Sequence, residues 1–140
     1  MADLQEIKNC LKIISKYHSK IILLHCVSGY PTSEDQANLK RIIILKKKFP
    51  NYNIGLSDHT NDILTSLSSI PLDVKIIEKH FIISKKLKSL DKSFSIDPNQ
   101  LKELVNKTKR IHKSLGEEDF LIQKSELTSR KFRRSIFTVR

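Results

Sequence analysis

An alternation of short apolar runs with amphipathic segments constrains the fold of this chain more than any other feature. Residues 21–27 form an almost unbroken apolar run, which is the pattern of a parallel strand covered on both faces. Residues 53–56 and 74–78 are two further predicted strands. A helix is predicted before the first strand and after each of the three, and this order implies parallel strands joined by right-handed crossovers.

Local signals place the ends of the four predicted helices. Asp3 begins a capping box, and apolar residues recur after it at helical spacing. The second and third helices are predicted over residues 33–49 and 63–70, and an irregular basic loop follows the third strand. Asp97, followed by a proline, begins the fourth helix, and Gly116 closes it. The predicted buried stripe of this last helix is Leu101, Leu104, Val105, Thr108, Ile111 and Leu115.

The length of the chain limits the architecture. Its 140 residues hold about three βα units, whereas a closed barrel needs eight and takes about 250 residues. We therefore predict an α/β fold that is part of a larger parallel architecture, with exposed strand edges. A small open, doubly wound sheet is the alternative. Residues 1–116 would form the folded unit, and residues 117–140 are a polar, basic tail.

Net charge and cysteine content indicate which classes of partner and which cellular compartment to expect. The net charge is +11, from 26 basic and 15 acidic residues, which favours phosphate-bearing partners of any kind. Nucleic acid is the less favoured partner, because tryptophan is absent and the lysines are spread over predicted helix faces. Two cysteines without a paired spacing, and apolar runs too short to span a membrane, predict a cytoplasmic protein without membrane contact.

Polar side chains cluster where each predicted strand ends. In a parallel α/β fold, catalytic and binding residues lie beyond the carboxyl ends of the strands. Side chains alternate along a strand, so residues two apart share a face and can line one pocket. The residues at these ends are Ser28 and Tyr30 after the first strand, Ser57, Asp58 and His59 after the second, and Glu78 and His80 after the third.

The two strand-end histidines predict a metal site. His59 and His80 occupy equivalent positions on neighbouring strands, so their imidazoles can share one ion. Two protein ligands leave coordination positions open, which suits Mn²⁺, Zn²⁺ or Fe²⁺ acting as a Lewis acid. Asp58 has two alternative roles, as the acceptor that orients a histidine or as the cap of the following helix. His25 and His112 gain no such support from their positions.

Four segments, taken in order, resemble the N-acetylneuraminate (sialic acid) synthase family. They are residues 25–32 (His-Cys-Val-Ser-Gly-Tyr-Pro-Thr), Glu34-Asp35 with Asn38-Leu39, residues 55–60 (Gly-Leu-Ser-Asp-His-Thr) and residues 77–81 (Ile-Glu-Lys-His-Phe). The resemblance implies a partial TIM barrel made of the last three strands. Residues 129–135 look like the segment that leads out of the barrel in this family, so that residues 1–116 would be barrel and 117–140 the tail leaving it.

The resemblance also implies an activity and a set of residue roles. Members condense phosphoenolpyruvate with an N-acylated amino sugar such as N-acetylmannosamine, using a divalent metal that is usually Mn²⁺. By the family pattern the metal would be held by His59 and His80, and Glu78 would be catalytic. The substrates would be bound by Ser28, Tyr30, Ser57 and Asp91.

Departures from the family pattern set expectations for the isolated chain. Ser28 stands where many members carry a side-chain amide, and residues 89–92 read Ser-Leu-Asp-Lys where the family usually has Gly-Pro-Asp-His. The groups that grip the phosphate in this family come from the first half of the barrel. We therefore expect no activity from the chain alone, and a complementary half-barrel chain or a homo-oligomer as its partner. The alternative is a non-catalytic remnant or an interaction module of the same fold.

Overall fold

The computed structural model describes residues 1–134, and the last six residues of the predicted tail lie outside it. Helices and strands alternate as the sequence predicts. The strands are β1 (Ile22–Cys26), β2 (Asn53–Asp58) and β3 (Ile77–Lys79). The α-helices are α1 (Leu4–Ile14), α2 (Lys40–Lys48), α3 (Leu64–Ser69), α4 (Pro98–Leu115) and α5 (Glu126–Arg130). Short 3₁₀ turns lie at Glu34–Gln36, Ile70–Leu72 and Leu90–Ser93.

The three strands form one parallel sheet in the order β1-β2-β3, which confirms the predicted α/β class. Cys26 pairs with Ser57, and Ser57 pairs with Glu78, so these three residues form one row across the sheet. Among the described residues, β1 pairs with β2 alone, and its other edge carries no strand. An additional bridge joins Phe81 to Ile96 just beyond β3.

Two predicted helix starts are formed by the side chains that predicted them. The Asp3 carboxylate accepts a hydrogen bond from the Glu6 amide at 2.8 Å, and the Glu6 carboxylate accepts one from the Asp3 amide. Asp97 and Gln100 form the same reciprocal pair at the start of α4. Each capping box satisfies amides that have no partner within the helix, so both helices begin at defined residues.

Two element boundaries differ from the prediction. The second helix is interrupted, because Asn38 adopts a positive φ of 44° between the 3₁₀ turn and α2. The third strand is regular only over Ile77–Lys79, although the Lys75 amide already donates to the Ile54 carbonyl at 2.8 Å. The side chain of Val74 is buried in the core ahead of the regular strand. The apolar run therefore marks where the chain packs, not where the strand begins.

The apolar core lies on the helix side of the sheet. One cluster is formed by Ile42, Leu45, Ile54, Leu56 and Val74, and a second by Ile63, Ile96 and Leu104. The predicted stripe of α4 is wrong in extent, since only Leu104 of its six residues is buried. A helix that packs along one narrow line buries fewer positions than its periodicity suggests.

The opposite face of the sheet is not covered by the described residues. Ile22, Leu24 and Ile76 are 39%, 37% and 43% exposed on this face. The prediction that the first strand is covered on both faces is therefore wrong for residues 1–134. In a closed barrel this face is the interior and is filled by side chains from all the strands. No helix in the described residues combines the length and apolarity that crossing a membrane requires.

Candidate functional site

Strand register brings His59 and His80 together. Asp58 is paired with Lys79 at the ends of β2 and β3, and each histidine is the next residue along its strand. The centroids of the two imidazole rings lie 5.2 Å apart, with an angle of 62° between the ring planes. The geometry expected from alternation along two parallel strands is therefore the geometry of this site.

The His59 ring is held by the loop that follows β1. His59 is 6% exposed, and its Nδ1 lies 3.0 Å from the carbonyl oxygen of Val27. A carbonyl oxygen only accepts, so Nδ1 carries the proton and Nε2 keeps its lone pair. The thiol of Cys26 is 3.8 Å from the same nitrogen. Nε2 of His59 is thus the nitrogen available to a ligand.

The His80 ring has a carboxylate as its partner. Its Nδ1 lies 3.3 Å from Oδ2 of Asp91, and both side chains are partly exposed. The ring of Phe94 packs edge-on against His80, with centroids 4.8 Å apart. A histidine whose Nδ1 faces a carboxylate can present Nε2 as a metal ligand, an arrangement common around protein metal ions. Asp91, predicted to bind sugar hydroxyls, lies beside the second histidine.

Ser57 and Glu78 form a hydrogen-bonded pair directly below the histidines. The Ser57 hydroxyl donates to Oε1 of Glu78 at 2.7 Å across the pairing of β2 with β3. Ser57 is buried, whereas Glu78 is exposed toward the uncovered face. These two residues, predicted for substrate binding and catalysis, lie on the same face as the two histidines.

An aromatic group borders the two imidazoles. The Tyr30 ring lies 4.4 Å from His59 and 5.5 Å from Phe94, measured between centroids. The loop that carries Tyr30 is tied to the end of β2, since the Thr32 amide donates to the His59 carbonyl at 2.9 Å. Tyr30 remains 57% exposed, and Ser28 is exposed in the same loop.

Phe94 was not identified from the sequence. It is 3% exposed and packs against His80 from the loop after β3. This loop has no apolar periodicity, so its buried side chains give no pattern. The signal in the sequence is a single aromatic residue flanked by Ser93 and Ser95, three residues after Asp91.

Asp58 takes neither of its two predicted roles. Its carboxylate accepts from the Thr60 amide at 2.8 Å and from the Thr60 hydroxyl at 2.7 Å, and Ser66 donates to its other oxygen. Neither histidine contacts it, and the cap residue of α3 is Ile63. Lys79 completes the site with an ion pair of 3.1 Å. Asp58 therefore holds Thr60, Ser66 and Lys79 together on the helix side of the sheet.

Lys79 is buried behind the same strand ends. Its side chain is 3% exposed, and its ammonium group donates to the Thr60 carbonyl at 2.7 Å. Burial lowers the pKa of the Lys79 ammonium from its ordinary value, because desolvation outweighs the opposing attraction of the Asp58 carboxylate.

The remaining histidines lie outside this site. His25 is buried on the helix side of β1, where its Nε2 lies 2.8 Å from the carbonyl oxygen of Ala37 and donates to it. His112 is exposed in the last turn of α4. These positions agree with the expectation that neither histidine contributes to the strand-end cluster.

The arrangement fits a metal ion that needs few protein ligands. Within residues 1–134, no set of three or more His, Cys, Asp and Glu side chains is arranged to hold a metal. His59 and His80 instead offer two Nε2 atoms on one side of the sheet, since Nδ1 of His59 faces the Val27 carbonyl and Nδ1 of His80 faces the Asp91 carboxylate. Two imidazoles leave the other coordination positions to water or to substrate oxygens, which suits a Lewis acid.

Three parallel strands, outer helices and a polar cluster at the strand carboxyl ends define the chain as part of a TIM barrel. A family model described as NeuB family matches residues 1–120. The chain therefore belongs to the NeuB family, which confirms the resemblance seen in the sequence.

Curated relatives and solved structures agree with this assignment. A pseudaminic acid synthase from Campylobacter jejuni is 37% identical over 84% of this chain and 34% of its own length. An N,N'-diacetyllegionaminic acid synthase from the same species is 37% identical over 90% of the chain and 38% of its own length. The crystal structure of an N-acetylneuraminic acid synthetase from Leptospira borgpetersenii superposes with a TM-score of 0.85, at 39% identity, over 95% of this chain and 46% of that one.

The relatives are synthases of three different sugar acids: sialic, pseudaminic and legionaminic acid. The chain spans little more than a third of the length of these curated relatives. The part of this chain that the family model matches, residues 1–120, contains the histidine pair and the strand ends described above.

Proposed function

We propose that this chain supplies the metal-binding end of a synthase that condenses phosphoenolpyruvate with an N-acylated amino sugar to give a nonulosonic acid. The observation that carries the proposal is the pairing of His59 with His80, whose ring centroids lie 5.2 Å apart. Nδ1 of His59 lies 3.0 Å from the Val27 carbonyl oxygen and Nδ1 of His80 lies 3.3 Å from the Asp91 carboxylate. Membership of the NeuB family, with sugar-acid synthases as relatives, supports the reaction class.

The residues divide the work of this reaction by position. His59 and His80 would hold a divalent metal, Mn²⁺ by family pattern, which when bound would polarise the aldehyde of the open-chain sugar. Ser57 and Ser28 would contact phosphoenolpyruvate and the neighbouring substrate atoms. Tyr30 would line the sugar pocket with its exposed ring.

The reaction forms one carbon–carbon bond and one carbon–oxygen bond to water, and it breaks the carbon–oxygen bond to phosphate. The enol carbon of phosphoenolpyruvate attacks the aldehyde carbon, and the aldehyde oxygen takes up a proton to become a hydroxyl. Water then adds to the resulting cation, and phosphate leaves. We assign to Glu78 the role of the base that accepts the proton released by the attacking water. Its carboxylate is exposed toward the uncovered face and accepts a hydrogen bond from Ser57 at 2.7 Å. Asp91 would share its carboxylate between His80 and a sugar hydroxyl.

A complementary half of the barrel is the proposed partner. The outer edge of β1 carries no strand among the described residues, and a groove of about 540 Å³ lies between that edge and α1. Leu4, Ile7 and Leu24 are among its lining residues. A preceding βα unit would place a parallel strand in this groove, because α1 would then be the crossover helix. Phosphate-gripping groups would come from that half.

Co-expression tests the proposal. The chain would be produced alone and together with the whole part of the Campylobacter jejuni pseudaminic acid synthase that precedes the segment matched by this chain, because five further strands are needed to close the barrel. Phosphate release would be measured with phosphoenolpyruvate, Mn²⁺ and a panel of N-acylated amino sugars, with product masses identifying the sugar. We expect no turnover by the chain alone, turnover by the assembled pair, and loss of that turnover in His59→Ala. Phosphate release by the chain alone that disappears in His59→Ala would contradict the need for a partner.

A non-catalytic module of the same fold is the second candidate. The uncovered sheet face with Ile22, Leu24 and Ile76 supports it, because such a face can pair with another chain without chemistry. An assembled pair that is stable in gel filtration but releases no phosphate with any substrate would favour this candidate over the synthase.

A further inference from the structure

We infer that the buried ion pair Asp58–Lys79 fixes the pairing register of β2 and β3. It thereby positions His59 and His80 without touching substrate or metal. The pair lies on the helix side of the sheet, directly behind the two histidines. Each of its members is the residue immediately before a histidine, at the last paired position of β2 and β3. Its function is to select one pairing of the two strand ends.

The register of β3 against β2 needs a side-chain contact because the regular pairing between the two strands is short. Only three register positions are paired, and the third strand is regular only over Ile77–Lys79. A slip of one residue would turn every side chain of β3 to the other face of the sheet. His80 would then point toward the helices while His59 stayed in the site. Two backbone hydrogen bonds, from the Lys75 amide to the Ile54 carbonyl at 2.8 Å and from the Leu56 amide to the Ile76 carbonyl at 2.9 Å, support the earlier part of this pairing. A side-chain contact at Asp58 and Lys79 acts instead at the strand ends that carry the histidines.

The contacts of the pair are specific to the observed register. The Lys79 ammonium lies 3.1 Å from the Asp58 carboxylate and 2.7 Å from the Thr60 carbonyl oxygen, which it reaches as a donor. Asp58 itself binds the Thr60 amide and hydroxyl. The residues on both sides of His59 are therefore held by one cluster, and Lys79 connects that cluster to the residue before His80. A one-residue slip of β3 would turn Lys79 to the uncovered face and leave the buried Asp58 carboxylate without its cation, which is costly.

The burial of Asp58 and Lys79 indicates that the ion pair selects the strand register and adds little to the stability of the fold. The side chains are 0% and 3% exposed, so both charges are removed from water. Replacing a buried ion pair by uncharged residues is often neutral for stability, whereas removal of one partner leaves an uncompensated charge. The best-attested use of buried polar groups is the choice of one register among several. A double replacement therefore separates the two roles.

The test is the full chain carrying Asp58→Asn with Lys79→Met, which removes both charges together. The readouts are thermal unfolding by circular dichroism, the nuclear Overhauser contact between the ring protons of His59 and His80, and Mn²⁺ affinity from water-proton relaxation. We expect cooperative unfolding within about 5 °C of wild type. We also expect loss of the ring contact and at least a tenfold loss of Mn²⁺ affinity. The control is Glu103→Gln with Lys107→Met, an exposed pair on α4 that should change none of the three.

Each remaining outcome has a defined meaning. An intact ring contact in the double variant would overturn the inference, because the register would then hold without the pair. Failure of the double variant to fold would also overturn it, since the pair would then serve global stability. The Mn²⁺ readout rests on the proposed metal site. If wild type shows the ring contact but binds no Mn²⁺, the metal proposal fails while the register is still tested by the ring contact.

Discussion

Replacement of Gly55 by alanine tests whether close strand approach builds the site. Gly55 lies in the middle of β2 on the uncovered face, beside Leu24 of β1. A Cβ atom at this position would lie 2.5 Å from Cδ2 of Leu24 and 2.7 Å from the carbonyl oxygen of Ile76, where ordinary contacts are 3.4–4 Å. Leu24 can turn away, because it is 37% exposed. The Ile76 carbonyl cannot, because it accepts from the Leu56 amide at 2.9 Å.

The magnitude follows from two opposing effects. Forcing an extra methyl group into a closely packed position costs about 1–3 kcal/mol. Alanine also restricts the unfolded chain more than glycine does, which returns about 0.4–1 kcal/mol. We therefore expect Gly55→Ala to lower the free energy of unfolding by about 1–2 kcal/mol, which corresponds to roughly a tenfold increase in the unfolded fraction. The displaced carbonyl belongs to the residue two positions before Glu78, so the Ser57–Glu78 hydrogen bond should also lengthen.

Urea denaturation followed by circular dichroism measures the change. Gly116→Ala is the matched control, because an added Cβ there meets no atom within 4 Å. Its positive φ of 65° makes alanine unfavourable by about 1–3 kcal/mol, so this variant shows what a loss of stability away from the site does to the ring contact. The ring contact between His59 and His80 should weaken in Gly55→Ala and persist in Gly116→Ala. Unchanged or increased stability of Gly55→Ala would refute the reasoning, because it would mean that the Ile76 carbonyl yields without cost.

Three further predictions concern stability away from the site. Asp97→Ala should cost about 1 kcal/mol through loss of the capping box of α4, seen as faster amide exchange at Asn99; unchanged exchange would contradict the role of the cap. Leu104→Ala should cost about 2–3 kcal/mol in urea unfolding, near the lower end for buried leucines because the second core cluster is small, and a cost below 1 kcal/mol would show that the cluster is loose. The Lys46 and Lys75 ammonium groups lower the pKa of Asp73 below its ordinary 3.8, so the stability it adds should be present above about pH 4 and lost as pH falls through the lowered pKa. Because Asp73 is half exposed, Asp73→Asn should remove less than about 1 kcal/mol of this pH-dependent stability, and an equally steep acid transition in the variant would contradict the assignment.

Local signals predicted the parts of the fold that are determined locally. Asp3 and Asp97 cap the helices they were expected to begin, because a capping box needs only a carboxylate and the three residues after it. The break before α2 could not be found in this way. It depends on a positive φ at Asn38, which the surrounding helical pattern conceals.

The histidine pair was predictable because two simple rules combine there. Side-chain alternation fixes which residues of a strand share a face, and parallel pairing aligns the carboxyl ends of neighbouring strands. These rules require no tertiary detail, so the sequence alone places Ser57, His59, Glu78 and His80 on one face of the sheet. Phe94 and the Asp58–Lys79 pair were missed, since their contacts depend on how a loop and a helix pack against the sheet.

The apolar side chains on the uncovered sheet face are too few to hold a partner chain by themselves. Full burial of an Ile or Leu side chain is worth about 1.5–3 kcal/mol, so covering the exposed two-fifths of Ile22, Leu24 and Ile76 would contribute roughly 2–4 kcal/mol in all. Association of two chains costs about 4–15 kcal/mol in lost freedom of motion. These three side chains therefore cannot hold a partner by themselves. A complementary half-barrel must also pair with the edge of β1 and fill the groove beside α1, where Leu4 is still partly exposed. A partner that covered only the polar strand ends would not remain bound.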